Sequence, residues 1–133
     1  MRIDLFAQAL QTATLGVIGT SLFIHHMPST TEQGILIKVP LQGIKRDPSM
    51  PGYYKTEIQM IIRHNNTTTG EALANSVMNL FHSHARVEYL DEDDDLVFAV
   101  KQMFAQSKPI RYPLSEGNLT EWSINFDVTF FEP

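Results

Sequence analysis

Residues 122–130 alternate without a break: Trp122, Ile124, Phe126, Val128 and Phe130 are separated by Ser123, Asn125, Asp127 and Thr129. Successive side chains of a strand point to opposite faces. Nine residues of period two therefore define a strand with one face in a core, and a one-residue slip would turn that whole face outward. Such a strand needs neighbours in a sheet and a layer to cover its apolar side. The remaining segments must supply both.

Ile3, Phe6, Leu10 and Ala13 fall on helical spacing, which predicts a helix over 2–14 ending near Gly16. Val17 to Met27 reads as a first strand broken by Pro28, and the dense run Ile35-Leu-Ile-Lys-Val39 as its hairpin partner across the turn-rich tract 28–34. Pro40, Gly43, Pro48, Pro51 and Gly52 make 40–52 a long exposed connection, because proline has no amide to give a central strand. Tyr54 to His64 returns to strand, with Ile58, Met60 and Ile62 on one face and Glu57, Gln59, Ile61 and Arg63 on the other. Asn65 to Glu71 carries helix-start chemistry, and Ala72, Leu73, Ser76, Val77, Leu80 and Phe81 form the apolar stripe of a second helix. Arg86 to Leu90 is a short strand. Leu96 to Gln106 also fits a helical period, but Val97, Phe98 and Val100 favour strand. The expected fold is α+β: one domain over 1–133, a mixed or antiparallel sheet flanked by two main helices.

Charge and composition narrow the function. Ten Lys and Arg against 15 Asp and Glu give a net charge of −5, and no run of three or more cations exists. A free-standing nucleic-acid binder needs a basic patch or stripe, so that class is disfavoured. The chain has no cysteine, which removes disulfides, thiolate metal sites and cysteine nucleophiles. Residues Leu5 to Ile24 carry no formal charge, but Gln8, Gln11, Thr12, Thr14, Gly16, Gly19, Thr20 and Ser21 interrupt them. A membrane span needs about 20 predominantly apolar residues, and Arg2 alone is a poor basic flank for a signal peptide. The expectation is no membrane contact, with a membrane-attached accessory protein as a remote rival.

No constellation for catalysis emerges. The motifs G-x-S-x-G, G-x-x-x-x-G-K-[ST] and G-x-G-x-x-G are all missing. Asp91, Glu92, Asp93, Asp94 and Asp95 form an acidic run between two predicted strands, hence a hairpin tip. As a calcium loop it fails, because Leu96 stands where glycine is needed and Gln102 where the closing glutamate is needed. A solvated acidic turn is one reading, and a loop facing a partner or lining a pore is the other. His82 and His84, two apart near a helix end, would point to different faces, as would His25 and His26 on a strand. No third ligand has matching spacing. Arg63 ends its strand beside a polar loop, either satisfied there or paired with a neighbouring subunit's carboxylate. The expectation is a binding surface, with no catalytic, cofactor or metal residues. A small α+β metal- or ligand-binding domain using His82, His84 and the Asp run is the rival from another class.

In order, the pieces resemble the tail terminator proteins of long-tailed bacteriophages. The resemblance runs from a short N-terminal helix and Leu15-Gly16 to Leu22-Phe23 with Met27-Pro28. It continues through Thr56-Glu-Ile-Gln-Met-Ile-Ile-Arg63, then the helix with Ala72, Ala74 and Leu80, then Lys108-Pro109-Ile110 and Trp122-Ser-Ile-Asn-Phe126. The acidic run 91–95 lies outside that pattern, and the loop 41–53 is too variable in such families to transfer function. The resemblance implies a structural virion protein, assembled in the host cytoplasm. It would form a hexameric ring on the last ring of the tail tube, end tube growth and provide the surface that joins the head. Its partners would be further copies of itself, the tail tube protein and a head-completion or neck protein, with DNA only as passing cargo. A head-completion or neck connector is the nearest rival. A cyclic assembly joins two different patches. The exposed face of the 54–64 strand (Glu57, Gln59, Arg63), the hairpin near Gly34 and the Pro-rich loop are expected to supply them, with Asp91 to Asp95 in the lumen or against a partner.

Overall fold

The structure is a computed structural model, which describes residues 1–39, 43–113 and 118–133. Pro40, Leu41 and Gln42 of the Pro-rich connection lie outside the described residues. Ten elements follow one another: α1 (Asp4–Thr12), β1 (Leu22–Ile24), β2 (Gly34–Lys38), β3 (Lys45–Arg46), β4 (Tyr53–His64), α2 (Thr67–Phe81), β5 (Val87–Leu90), β6 (Leu96–Ala105), β7 (Ile110–Pro113) and β8 (Thr120–Phe131).

The alternating segment is β8, and it is the spine of the sheet. It pairs antiparallel with β4 along its whole length, from Tyr53↔Phe131 to His64↔Thr120. Its other edge is shared by β6, over 126–131, and β7, over 120–123. The strand order is β1-β2-β4-β8-β6-β5, with β3 extending the β2 side of β4. The even-numbered residues of β4 and β8 form the apolar face: Ile58, Met60, Ile62, Trp122, Ile124, Phe126, Val128 and Phe130 are all essentially inaccessible. Both helices lie on this face. Leu5, Phe6 and Leu10 of α1 and Ala74, Val77 and Phe81 of α2 complete one continuous core. Phe6 is its hub, with ring centroids 5.0 Å from Tyr89 and 5.6 Å from both Phe81 and Phe98.

Three sequence expectations need correction. The segment 17–27 is strand only over Leu22–Ile24, and β1 runs parallel to β2 (Leu22↔Ile35, Ile24↔Ile37), not as its hairpin. The reason is local. Ser21 Oγ accepts from Val17 N and three further N–H groups turn back onto Val17 O, so residues 17–21 form a tight turn. His25 at φ 67 then starts an excursion that brings the chain back in the same direction. Second, the buried stripe of α2 is Gly70, Ala74, Val77 and Phe81, so Ala72, Ser76 and Leu80 face outward. Gly70 rotates the helix, because only a residue without Cβ lets the first turn rest on Trp122. Third, the connection 40–52 contains a strand, β3, paired with β4 through Lys45↔Lys55 and Arg46↔Tyr54. The helix cap is as read: Asn66 Oδ1 accepts from Thr69 N at 3.0 Å.

Tyr89 gives the core a pH limit. Burial against Phe6 and Phe98 pushes its phenol up to about 12, because a phenolate there would lose its hydration. The unfolded chain ionises near the usual value of about 10. The neutral phenol therefore contributes stability that is full below about pH 10 and lost as pH rises towards about 12. Unfolding in urea should show a loss of about 2 kcal/mol across that window. Tyr89→Phe should show a correspondingly shallower decline, followed alongside phenolate absorbance.

Candidate functional site

The odd-numbered residues of β4 and β8 line the face of the sheet opposite the helices, which is open around Lys55, Glu57 and Asp127. A row crosses it from edge to edge: Phe23, Leu36, Ile61, Ser123 and Ile110 are register partners in β1, β2, β4, β8 and β7. Above this row the segment 25–33 folds over the sheet. Met27 is buried there, and a Cβ on Gly34 would meet its sulfur at 2.7 Å.

Arg63 fixes that cover. Its Nε donates to Glu121 Oε2 at 3.0 Å, and its Nη1 donates to Pro28 O at 2.9 Å and Thr31 O at 3.3 Å. The fork is thus largely engaged within its own subunit. Gln59 Nε2 likewise donates to Ser123 Oγ at 2.8 Å, on the next strand. Glu57 differs: it is exposed, makes no ion pair among the described residues, and stands directly opposite the exposed Asp127. The structure therefore brings all three residues to one face, two as fasteners of the sheet and one as a free carboxylate.

The acidic run is the β5–β6 turn. Asp91 organises it, its Oδ1 accepting from Asp93 N and Asp95 N at 2.9 Å each, and Asp94 takes φ 60. Carboxylate oxygens of Asp91, Asp93 and Asp95 lie within 4.8 Å of one another, with Asp93 and Asp95 exposed. The rival metal site does not come together. His82 and His84, expected on different faces of a helix, instead lie past the end of α2 with their ring centroids 5.7 Å apart, because the chain is extended from His82 onward. Both pack on Phe104, at 5.8 and 4.6 Å. Phe104 lies eight residues along β6 from the turn at Leu96, about 27 Å away at strand rise. His82 Nδ1 is also occupied, accepting from Ala105 N at 3.1 Å. No described helix is long and apolar enough to cross a membrane, and α1 stops at Thr12.

Sequence reasoning missed the two lateral edges. In the half of the sheet where β4 begins, the order is β3-β4-β8-β6-β5. Arg46, Tyr54, Phe130, Val100 and Val87 form one row across it. The two outer strands stand four strand spacings, about 19 Å, apart, and each pairs on one side only among the described residues. The β3 edge is basic. It gathers Lys45, Arg46 and Lys55, exposed and in no ion pair among the described residues, beside exposed Ile44 and Met50. The β5 edge is acidic through the turn 91–95, with Glu88 paired to Arg86 at 3.3 Å. Beside β5 a cleft of about 480 Å³ opens between α1 and the end of α2, walled by Ala9, Ala13, Leu80, Val87, Tyr89 and Leu90. Leu80, Val87 and Leu90 are each about two-fifths exposed. The available signal was the placing of Lys45-Arg46 and Lys55 on either side of the turn Pro48-Ser-Met-Pro-Gly52.

The fold is thus one mixed sheet with both helices packed on a single face. Residues 9–130 match the bacteriophage tail terminator protein family. The chain belongs to that family, and its role is that of a structural component of a phage tail. No curated protein matches it. Among solved structures, a chain from the virion of a native gene transfer agent particle has the same fold. It aligns with TM-score 0.60 and 11% identity over 94% of this chain and 90% of its own. A second solved chain aligns over 96% of both chains at 15% identity and TM-score 0.47.

Proposed function

We propose that the protein closes into a hexameric ring on the last ring of the tail tube, stops its growth and presents the surface that receives the head. The observation that carries this reading, within a family of tail terminators, is the pair of unlike free edges on opposite sides of one sheet. Contacts between unlike patches propagate head to tail and make rings when the rotation closes. The copies meet the tail tube protein on one side and a head-completion or neck protein on the other, at the head-proximal end of the tail, and DNA passes through as cargo. No catalytic step is involved. Assembly takes place in the host cytoplasm. On the open face, Glu57 is available to a neighbouring subunit, while Gln59 and Arg63 hold the surface in shape.

A stop codon early in the gene tests the assignment. Particles made without the protein should carry overlong tails without heads, seen by electron microscopy. Tails of normal length beside unjoined heads would place the protein at the neck.

A further inference from the structure

We propose that the apolar cleft between α1, α2 and β5, with its acidic turn, is the seat for the basic β3–β4 arm of the next copy of this chain. The inference deepens the ring reading and rests on it. Charge selects the occupant. From Ile44 to Lys55 the arm carries Lys45, Arg46 and Lys55 against one carboxylate, Asp47, which accepts from Ser49 N at 2.9 Å, and Glu57 follows two residues further along β4. The opposite edge, from Val87 to Asp95, carries six carboxylates and no cation. Two of them have an intrachain cation, Glu88 with Arg86 at 3.3 Å and Glu92 with Arg2 at 3.5 Å, and the other four make no ion pair among the described residues.

Two features call for an outside partner. Lys45 and Lys55 are directly opposed across an antiparallel pair, a placement that disfavours the ladder unless an anion relieves it. Among the described residues both edges also leave backbone donors and acceptors on their outer side unpaired, a template for another strand. Like edges repel: two basic arms meet unfavourably, as do two acidic turns. Unlike edges attract, which favours the head-to-tail contact that a ring requires over a twofold dimer through either edge. The apolar parts match as well, since the exposed Ile44 and Met50 of the arm would meet Leu80, Val87 and Leu90. The arm and the turn lie towards the same end of the sheet, so one stagger of neighbouring copies brings the cations of one onto the carboxylates of the next.

The test is a charge swap read by complementation of the stop-codon phage. One variant reverses the arm (Lys45→Glu, Arg46→Glu, Lys55→Glu). A second reverses the turn (Glu92→Lys, Asp93→Lys, Asp95→Lys), sparing Asp91, which builds it, and Asp94, with its positive φ. A third carries both sets. Circular dichroism and thermal melts of the purified chains confirm that each folds. Each single reversal should cut the yield of plaque-forming particles by at least about tenfold, and the combined variant should recover most of it. Full complementation by either single reversal overturns the proposal, as does a folded combined variant that recovers nothing. Turn-reversed particles with normal tails and heads but altered DNA delivery would also overturn it, placing the turn on the channel wall. The tail-capping reading fails separately, if the stop-codon phage itself makes tails of normal length beside unjoined heads.

Discussion

Gly70→Val should unfold at a urea concentration well below that of the unchanged protein, reflecting a loss of about 3 kcal/mol or more. Gly70 lies in the first turns of α2, where a glycine ordinarily weakens a helix by about 1 kcal/mol relative to alanine. Propensity alone therefore predicts that replacing it stabilises the fold. Packing reverses the sign. A Cβ at this position would run into the Trp122 ring and stand 2.8 Å from the His64 Cβ. Trp122 is the largest fully buried side chain, and His64 is held by accepting from Asn66 N at 2.9 Å. Neither can swing into solvent, so the helix must lift. Domains of this kind are stable by only about 5–15 kcal/mol, so a loss of that size is a large share. Trp122 is also the only tryptophan, which makes the test direct: its emission should shift to the red in the folded variant and its quenching should rise. Gly70→Ala should follow the same direction at about 2 kcal/mol, and the exposed Glu71→Ala should change little. A Gly70→Ala protein more stable than the original would mean that α2 is not seated on Trp122 as described.

How much of this could be read in advance depended on whether one segment or two decided it. Period-two alternation in 122–130 and in 54–64 reports on a strand by itself, and those two strands form the longest pairing in the sheet. The acidic hairpin tip was legible for the same reason. It joins two apolar runs and has a composition that only a turn tolerates. The parallel pairing of β1 with β2 was not legible. It depends on the turn at 17–21 and the cover over 25–33, whose hydrogen bonds reach Arg63 in a different strand. The face of α2 was misjudged because the apolar count favoured Leu80, while the packing partner, Trp122, favoured Gly70. In the candidate site, the placing of Glu57, Gln59 and Arg63 on one face followed from periodicity. Their different duties did not, because Ser123 and Glu121 are about 60 residues away in sequence and adjacent only through the β4–β8 register. The basic edge was hidden by spacing: Lys45 and Lys55 are ten residues apart and become neighbours through a turn.

Arg63→Glu should remove about 3 kcal/mol of stability, before any question of assembly arises. The pair with Glu121 is largely sheltered, with side-chain exposures of 15% and 21%. Reversing one member sets two carboxylates against each other where water screens them poorly. It also strips the donor from Pro28 O and Thr31 O, loosening the cover that buries Met27. The double reversal Arg63→Glu with Glu121→Arg should recover only part of the loss, because it restores the ion pair but not both bonds to the cover. Hydrogen exchange should show faster opening of residues 25–33 in both variants. A stability change of less than about 0.5 kcal/mol in Arg63→Glu would mean that the pair behaves as a solvent-exposed one. This decides how interface tests on the open face are read. Failed ring formation in Arg63→Glu reports a damaged subunit. Glu57→Lys separates the two, because Glu57 is exposed and faces Asp127, so a lysine there should be neutral or slightly stabilising. Loss of assembly in Glu57→Lys, with stability unchanged, would locate a subunit contact on that face. Normal assembly would leave the lateral edges to carry the ring.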